Sequence, residues 1–290
     1  MRDKEEEKMA TANTRAASSV VAAEYRSITV FGATGKTGSE LIKFLSGASV
    51  KCRAVTRDIR NATAMPFVEW VECNLADKER LHALMKGCER VYLASNATEL
   101  EKNAIEAAKE SGVEHVVLLS AYPSSPDSEF SFYRALADVE ETLMHSGLQW
   151  TILKPGGFMQ NWIYLGDFAE TVRKEKRIYG GGGEDRIAFI DTRDIAEVAF
   201  TVLAHPEAHI NKSHVLTGSK AYSHIEIARA VSDAIEEEVV YVPESPGWYR
   251  SPFLNLSENE PLITGAVKEI LGRPPRSVEQ FFKDYADQFK

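Results

Sequence analysis

Short apolar runs alternate with segments of helical periodicity along most of the chain. The clearest helical segment covers residues 130–146, where apolar side chains recur every three or four positions until Gly147. Continuous apolar runs are typical of strands buried on both faces of a parallel sheet. The predicted strands of the first half are residues 28–31, 50–56, 67–73, 90–95, 115–120 and 149–154. This alternation predicts an α/β fold, a Rossmann-type doubly wound parallel sheet that binds ligands at the carboxyl ends of its strands.

The pattern divides the chain into three predicted parts. Residues 1–25 are charged at first and then rich in Ala, Ser and Thr, which predicts a disordered N-terminal extension. Residues 26–157 carry the alternating pattern and form the predicted NAD(P)-binding domain. Residues 158–290 mix aromatic side chains with short strands and helices, and they predict a smaller α+β substrate-binding lobe whose chain interleaves with the first domain.

Three glycines follow the first predicted strand at intervals of three residues. Gly32, Gly35 and Gly38 lie between the apolar run and an amphipathic helix. Glycine lets the backbone turn sharply and approach a ligand, and a helix start offers free N–H groups and partial positive charge to a pyrophosphate. Because the strand and the helix supply the required context, the stretch predicts dinucleotide binding. A purely structural strand-to-helix turn is the alternative.

The same stretch resembles the end of a nucleotide-triphosphatase loop, G-x-x-x-x-G-K-[ST], at Gly35-Lys36-Thr37. That motif requires a glycine five residues before Gly35, where this chain has Val30. A strand valine cannot replace the glycine that opens the phosphate cradle, so this interpretation is excluded.

The end of the second predicted strand indicates which dinucleotide is bound. Arg57 lies nineteen residues after Gly38, where an NAD-binding chain places Asp or Glu. A guanidinium pairs with a ribose 2′-phosphate through charge-assisted hydrogen bonds, whereas a carboxylate repels it. Lys36 could reach the same phosphate. NADP(H) is therefore the predicted cofactor, although Asp58 leaves NAD open and Arg57 could be a solvated charge at a strand end.

Further cofactor contacts are predicted at the ends of later strands. Leu75 could cover one face of adenine and Asn74 could bond its edge, while a helix start with Asp77 as N-cap fits the same residues equally well. Lys154 ends the sixth strand, where a nicotinamide would lie, but it could equally face water. The predicted cofactor-binding set is Gly32, Thr34, Gly35, Lys36, Thr37, Gly38, Arg57, Asn74, Leu75, Ser95, Lys154, Pro155 and Gly156.

The candidate catalytic residues are Ser120 and Tyr133. Hydride-transfer enzymes on this architecture commonly polarise a substrate oxygen with a serine and a tyrosine, and a lysine four residues after the tyrosine lowers the tyrosine pKa. Here that position is Ala137, so the usual triad is broken. A helix tyrosine packed against the sheet is an equally good interpretation of Tyr133.

Aromatic side chains after the sixth strand indicate an apolar pocket. Tyr122, Phe158 and Trp162 are the predicted substrate contacts, and apolar walls with few polar groups suit a planar ligand. Residues further along were expected to close the pocket, namely Trp248, Tyr249 and Phe253. The alternative is an ordinary lobe core.

Composition and charge narrow the classes of partner and ligand that the protein is expected to bind. The net charge is −9 without a basic stripe, which disfavours nucleic acid and anionic membranes as partners. No apolar run approaches the roughly 20 residues of a membrane span. Three separated cysteines, Cys52, Cys73 and Cys88, indicate buried thiols in a reducing compartment. Seven scattered histidines lack metal-ligand spacing, so no metal is predicted. The expected location is cytoplasmic; a homodimer stays open, as does organelle import from a start at Met9.

Several motifs in this order resemble the NmrA-like branch of the atypical short-chain dehydrogenases over roughly residues 27–290. They are residues 32–38, 118–120, 143–147, 150–155 with 158–161, 189–196, 216–218, 222–228 and 272–275. The resemblance implies NADP(H) with the three glycines at its pyrophosphate and Arg57 at its 2′-phosphate, and a C-terminal lobe that closes over substrate. It points to NAD(P)H:quinone-type reductases and clavine dehydrogenases, and the same family contains non-catalytic redox sensors.

The chain departs from that family pattern in three places. Leu136 and Ala137 leave Tyr133 without a nearby lysine, and Lys154 stands where arginine is more usual. The stretch 242–262 looks shortened, which weakens any transfer of substrate from the family.

Three functions follow, in order of preference. The first is an NADPH-dependent oxidoreductase that transfers hydride to a planar apolar acceptor such as a quinone, an enone or a cyclic imine or iminium. The second is an NADP(H)-binding redox sensor or regulatory protein without turnover. The third is a non-redox isomerase or cyclase on the same fold that uses Tyr133, Tyr122 or Asp138 for proton transfer.

Overall fold

The computed structural model describes residues 28–95, 97–180, 185–243 and 261–290. Several expectations therefore lie outside the described residues. They are the disordered extension at residues 1–25, the pocket-closing residues Trp248, Tyr249 and Phe253, and most of the shortened stretch 242–262.

Nine strands and ten α-helices occur in the described part of the chain. The strands are β1 Ile28–Val30, β2 Cys52–Thr56, β3 Val68–Glu72, β4 Arg90–Leu93, β5 His115–Leu119, β6 Gln149–Pro155, β7 Arg177–Gly180, β8 Lys212–Leu216 and β9 Val240–Pro243. The helices are α1 Gly38–Gly47, α2 Lys78–Met85, α3 Thr98–Glu110, α4 Ser131–Met144, α5 Asn161–Tyr164, α6 Phe168–Glu175, α7 Thr192–Ala204, α8 His224–Ile235, α9 Ala266–Leu271 and α10 Val278–Asp284. Short 3₁₀ turns cover Ile59–Asn61, Pro206–Ala208 and Ala286–Gln288.

Seven strands form one sheet in the order β3-β2-β1-β4-β5-β6-β8. Neighbouring strands are parallel where their register is given: Val30 pairs with Ala54 on one side and with Tyr92 on the other. The chain winds outwards in one direction from β1 and in the other from β4, so these two strands flank the topological switch point where such sheets bind ligands. The predicted Rossmann-type doubly wound sheet is confirmed. A separate two-stranded parallel sheet joins β7 and β9.

The chain divides into two compact units, each built from three segments. The first comprises residues up to Ser120 together with 134–153 and 196–213, and the second comprises 121–133, 154–195 and 214–290. The predicted assignment of residues 26–157 to the NAD(P)-binding domain and of 158–290 mainly to the substrate-binding lobe stays a prediction. Both units have their own apolar core.

The core of the first unit packs helices against the sheet. Its largest fully buried side chains include Phe31, Leu81, Met85 and Leu93. Burying a side chain of this size stabilises the fold by about 1.5–3 kcal/mol, so this cluster supplies much of the unit's stability. The stripe predicted on α4 contributes Val139 and Leu143 to it.

The core of the second unit is aromatic. Trp162 stacks on Phe282 with ring centroids 5.0 Å apart and meets Phe281 edge-on at 5.6 Å. Phe289, near the C-terminus, packs edge-on against Phe282 at 5.1 Å. Aromatic pairs of this kind add about 0.5–1.5 kcal/mol each beyond their buried area. The final helix is therefore held by ring packing.

A buried acid ties residues near the end of the chain to the start of α7. Asp194 is fully buried, and its carboxylate accepts hydrogen bonds from Arg273 Nη2 at 2.8 Å and from the Arg276 backbone N–H at 2.7 Å. The Arg276 guanidinium donates to it as well. A buried carboxylate tolerates its charge only with such partners.

No helix in the described ranges is long and apolar enough to cross a membrane.

Replacing Asp194 by Asn should lower the stability of the protein. The amide carries no charge and cannot balance two guanidiniums, so the free energy of unfolding should fall. We expect a loss of about 3 kcal/mol and not more, because both arginines keep contact with water and can relax partly. Chemical denaturation of wild type and variant measures this change. Asp233→Asn, on the exposed face of α8, is the matched control and should leave the midpoint unchanged. Equal midpoints for the two variants would contradict the structural role of Asp194.

Candidate functional site

The glycine loop after β1 is packed so tightly that two of its positions exclude any side chain. Gly32 has φ +69°, and a Cβ there would lie 2.2 Å from the carbonyl oxygen of Ala94. A Cβ on Gly38 would lie 2.2 Å from the Gly32 carbonyl oxygen. Gly35 is looser, with 3.1 Å to that same oxygen. The loop therefore turns on itself against the end of β4, and the glycines at both of its ends are required by backbone contact.

The loop presents the start of a ten-residue helix, α1. The first N–H groups of a helix lack intrahelical partners and carry partial positive charge, which suits a phosphate. Thr37, at the N-cap, makes no capping bond with its side chain; its hydroxyl accepts a hydrogen bond from the Tyr92 hydroxyl at 2.9 Å instead. Thr34 and Gly35 are exposed at the tip, and partial burial lowers the pKa of Lys36.

The two residues that bear on the choice between NADP(H) and NAD, Arg57 and Asp58, directly follow β2 and have different surroundings. Arg57 is exposed and makes no hydrogen bond or ion pair with the described residues. Asp58 caps the following 3₁₀ turn and binds the Arg60 guanidinium, with 2.6 Å between Nη2 and Oδ2. These hydrogen bonds from Arg60 lower the pKa of Asp58. The Asp58 carboxylate, which would favour NAD, is thus already hydrogen-bonded to Arg60. The Arg57 guanidinium, which would favour NADP(H), has no partner among the described residues.

The end of β3 is a helix start as well as a predicted adenine contact. Asp77 caps α2 by accepting from the Arg80 N–H at 2.9 Å, as predicted. The Asn74 side chain accepts from the Ala76 N–H at 3.0 Å, and Leu75 is buried in the core of the first unit. Their contact with adenine stays a prediction.

Ser95 and Ser120 follow β4 and β5, as predicted. The Ser95 hydroxyl accepts from the Ala97 N–H at 3.0 Å. Ser120 is 5% exposed, its N–H donates to the Leu153 carbonyl at 2.8 Å, and its hydroxyl donates to the carboxylate of Glu140. Ser120 is therefore held in place by the neighbouring strand and by helix α4.

The remaining predicted contacts belong to the second unit. Backbone bonds join the Tyr122 N–H to the Pro155 carbonyl and the Gly156 N–H to the Leu216 carbonyl, each at 2.9 Å. Lys154 donates to the Ser124 carbonyl at 3.3 Å. Tyr122 is half-buried. Tyr122, Lys154 and Pro155 thus lie close together, since both chain segments are joined by these bonds.

The aromatic candidates differ in exposure. Tyr133 is buried and packs edge-on against Phe132 and Phe130, with ring centroids 5.4 and 6.2 Å away. Its role in proton donation stays a prediction. Trp162 is 8% exposed and packs within the aromatic core, and its contact with substrate stays a prediction. Phe158 is half-buried, and its contact with substrate stays a prediction.

Two acidic side chains near these strand ends were missed in the sequence. Glu101 on α3 is fully buried, and neither carboxylate oxygen has a hydrogen-bond partner in the described part of the chain. Burial raises its pKa to about 7, and polar groups of Ser95 offset only part of this effect. Glu140 is 7% exposed. Both follow the apolar spacing of their helices, Glu101 with Ala104 and Glu140 with Leu136, which was the available signal.

Within the described ranges, no three His, Cys, Asp or Glu side chains cluster as metal ligands. Cys52, Cys73 and Cys88 are buried thiols that form no disulfide with one another.

A glycine loop without room for side chains, at the switch point of a doubly wound sheet, defines a dinucleotide-binding protein of the Rossmann type. Comparison with known proteins identifies the branch. The chain belongs to the NmrA-like family, whose model matches residues 24–257, and the resemblance expected from the sequence is confirmed.

One relative is an NAD(P)H azoreductase from Xenophilus azovorans, 30% identical over 286 residues, which cover 90% of this chain and 99% of that protein. The fold resembles that of an NADPH-dependent quinone oxidoreductase from Escherichia coli in complex with NADPH, with a TM-score of 0.76 at 19% identity, covering 89% and 99% of the two chains. It also resembles NmrA, a negative transcriptional regulator in complex with NADP, with a TM-score of 0.73 at 16% identity and coverages of 90% and 95%.

Glu101 should make the stability of the protein depend on pH. In the unfolded chain its carboxyl titrates near its ordinary value of 4.5, and in the folded protein at about 7. Between pH 4.5 and pH 7, Glu101 is protonated in the folded protein and ionised in the unfolded chain. The contribution of Glu101 to the free energy of unfolding is therefore full below pH 4.5 and is lost as the pH rises to 7. The loss is at most about 3 kcal/mol.

Glu101→Gln removes this titration, and unfolding measured at pH 5 and pH 8 tests the prediction. Stability of the variant relative to wild type should rise by about 2–3 kcal/mol between the two pH values. Glu99 lies two residues before Glu101 on α3 and is exposed, so Glu99→Gln should show no such rise. Parallel pH dependence of wild type and Glu101→Gln would contradict the assignment.

Proposed function

We propose that this protein is an NADPH-dependent oxidoreductase that transfers hydride to a planar apolar acceptor. The observation that carries the proposal is the backbone contact at Gly32 and Gly38, which sets the start of α1 at the switch point of the sheet. The family relative named an NAD(P)H azoreductase supports the same class of enzyme and cofactor. The expectations of an oxidoreductase and of NADP(H) are thereby confirmed at the level of class.

The residues of the first unit fit a phosphorylated dinucleotide. Glycine at Gly32 and Gly38 lets the turn after β1 close on itself, and this sets the start of α1, whose first amides and partial positive charge suit a pyrophosphate. The Arg57 guanidinium has no partner among the described residues and can meet a 2′-phosphate, while the Asp58 carboxylate is hydrogen-bonded to Arg60. Lys36 adds positive charge at the tip of the loop. When bound, the reduced nicotinamide supplies a hydride.

The acceptor remains a proposal. Quinones, enones, cyclic imines and iminium ions need little acid assistance, which suits a chain with Ala137 where a lysine is usual and with a packed Tyr133. An azo compound joins this panel because of the relative's activity. Tyr122 and Phe158 are the proposed acceptor contacts, and Trp162 supports them from the core of the second unit.

Replacing Arg57 by Ala should weaken the binding of NADPH far more than the binding of NADH. Charge-assisted hydrogen bonds to the 2′-phosphate are worth about 1.5–3 kcal/mol, so we expect the Kd of NADPH to rise about tenfold to a hundredfold. The Kd of NADH, which lacks that phosphate, should change less than about threefold. Calorimetric titration measures both constants. Lys51→Ala, an exposed cation before β2, is the charge-matched control. An equal loss of affinity for NADPH and NADH would show that Arg57 does not contact the 2′-phosphate.

An acceptor screen tests the enzymatic proposal. Wild-type protein is incubated with NADPH and a panel of quinones, enones, cyclic imines and azo compounds, and cofactor oxidation is followed by absorbance. We expect saturable turnover with at least one class. Tight NADPH binding without turnover across the whole panel would instead support the redox-sensor alternative. Product formation that ignores the oxidation state of the cofactor would support the isomerase alternative.

A further inference from the structure

Ser120 commits its hydroxyl proton to a buried acid. The hydroxyl donates to the carboxylate of Glu140, which lies on α4 and is 7% exposed. Ser120 itself is fixed at the end of β5 by its backbone bond to Leu153. A hydroxyl has one proton and two lone pairs, so a serine that donates to a carboxylate offers its neighbours only lone pairs. Towards a ligand at this strand end, Ser120 is an acceptor of hydrogen bonds.

This arrangement opposes the usual role of a serine in carbonyl reduction. A carbonyl oxygen gains negative charge as hydride arrives and needs a donor, whereas Ser120 presents lone pairs with a carboxylate behind them. The hydrogen bond from Ser120 to Glu140 also polarises the serine oxygen and makes it a stronger acceptor. Ala137, one turn before Glu140 on α4, supplies no ammonium to reverse this polarity.

We propose that Glu140, acting through Ser120, is a positioning residue that selects a cationic acceptor: an iminium ion whose nitrogen carries the proton. The N–H of such an ion donates to Ser120 Oγ, and its positive charge is stabilised by the Glu140 carboxylate. This inference rests on the proposed function and specifies its substrate class.

The chemical step balances without a proton donor. The reduced nicotinamide gives a hydride to the iminium carbon and is oxidised, a C–H bond forms, and the π electrons of the C=N bond move to nitrogen. The product is a neutral amine that keeps its N–H on Ser120. Reduction of a quinone, in contrast, places negative charge on oxygen beside Glu140 and requires protons. The missing lysine is therefore consistent with the preferred acceptor.

The test compares two acceptors of similar size. 3,4-Dihydroisoquinoline, protonated to its iminium ion, is the cationic probe, and 1,4-naphthoquinone is the neutral one. Glu140→Gln keeps the shape of the side chain and removes its charge. We expect kcat/KM for the iminium probe to fall at least about tenfold, the effect of a lost charged hydrogen bond, and that for the quinone to change less than about threefold. Glu140→Asp should restore part of the preference.

Glu141→Gln, the exposed neighbour on α4, is the matched control and should leave the ratio of the two constants unchanged. A second readout needs no turnover: binding of 1,2,3,4-tetrahydroisoquinolinium to the NADP⁺ complex, measured by calorimetry, should weaken about tenfold in Glu140→Gln. If Glu140→Gln unfolds, Ser120→Ala should lower the same ratio.

The outcomes separate the two proposals. A wild-type enzyme that reduces the quinone but not the iminium ion, or a Glu140→Gln variant with an unchanged ratio, would overturn the role of Glu140 and leave the oxidoreductase proposal standing. Wild-type protein that oxidises NADPH with no acceptor of the wider panel would overturn the proposed function and this inference with it.

Discussion

Backbone contact at two glycines is the constraint on which the site depends. The carbonyl of Ala94 occupies the place of a Cβ on Gly32, and the Gly32 carbonyl occupies that of a Cβ on Gly38. These contacts fix the turn after β1 against the end of β4 and thereby set the position of the first helix start. Any side chain at either position would push the turn away from the switch point. Arg57 directly follows β2, the strand that pairs with β1.

Buried polar groups give the strand ends of the first unit their chemical character. Tyr92 reaches from β4 to the hydroxyl of Thr37, so the core of the sheet also holds the glycine loop. Glu140 and Glu101 place two acids close to strand ends, one paired with Ser120 and one with no hydrogen-bond partner in the described chain. Where short-chain dehydrogenases commonly place a lysine, this chain has Ala137. The proposed cationic acceptor follows from the pairing of Ser120 with Glu140.

The sequence predicted the sheet and the glycine loop well because both leave direct marks on residue types. Buried parallel strands require apolar runs, and a turn without space for Cβ requires glycine, as at Gly38. Trp162 and Glu140 were harder, because their surroundings come from segments distant in the chain. An aromatic residue after a strand indicates a pocket and a core equally well, and an acid beside an apolar stripe is usually solvated. Only tertiary packing buried Glu140 against Ser120.

The most direct test of this account is calorimetric titration of the unmodified protein with NADPH, NADP⁺ and NADH. The account predicts that both phosphorylated nucleotides bind and that NADH binds at least about tenfold more weakly, because only a 2′-phosphate can use the free guanidinium of Arg57. NADH binding as tight as that of NADPH would show that Asp58, not Arg57, defines the ribose site. Absence of binding by all three would contradict the central claim that the glycine loop is a dinucleotide site.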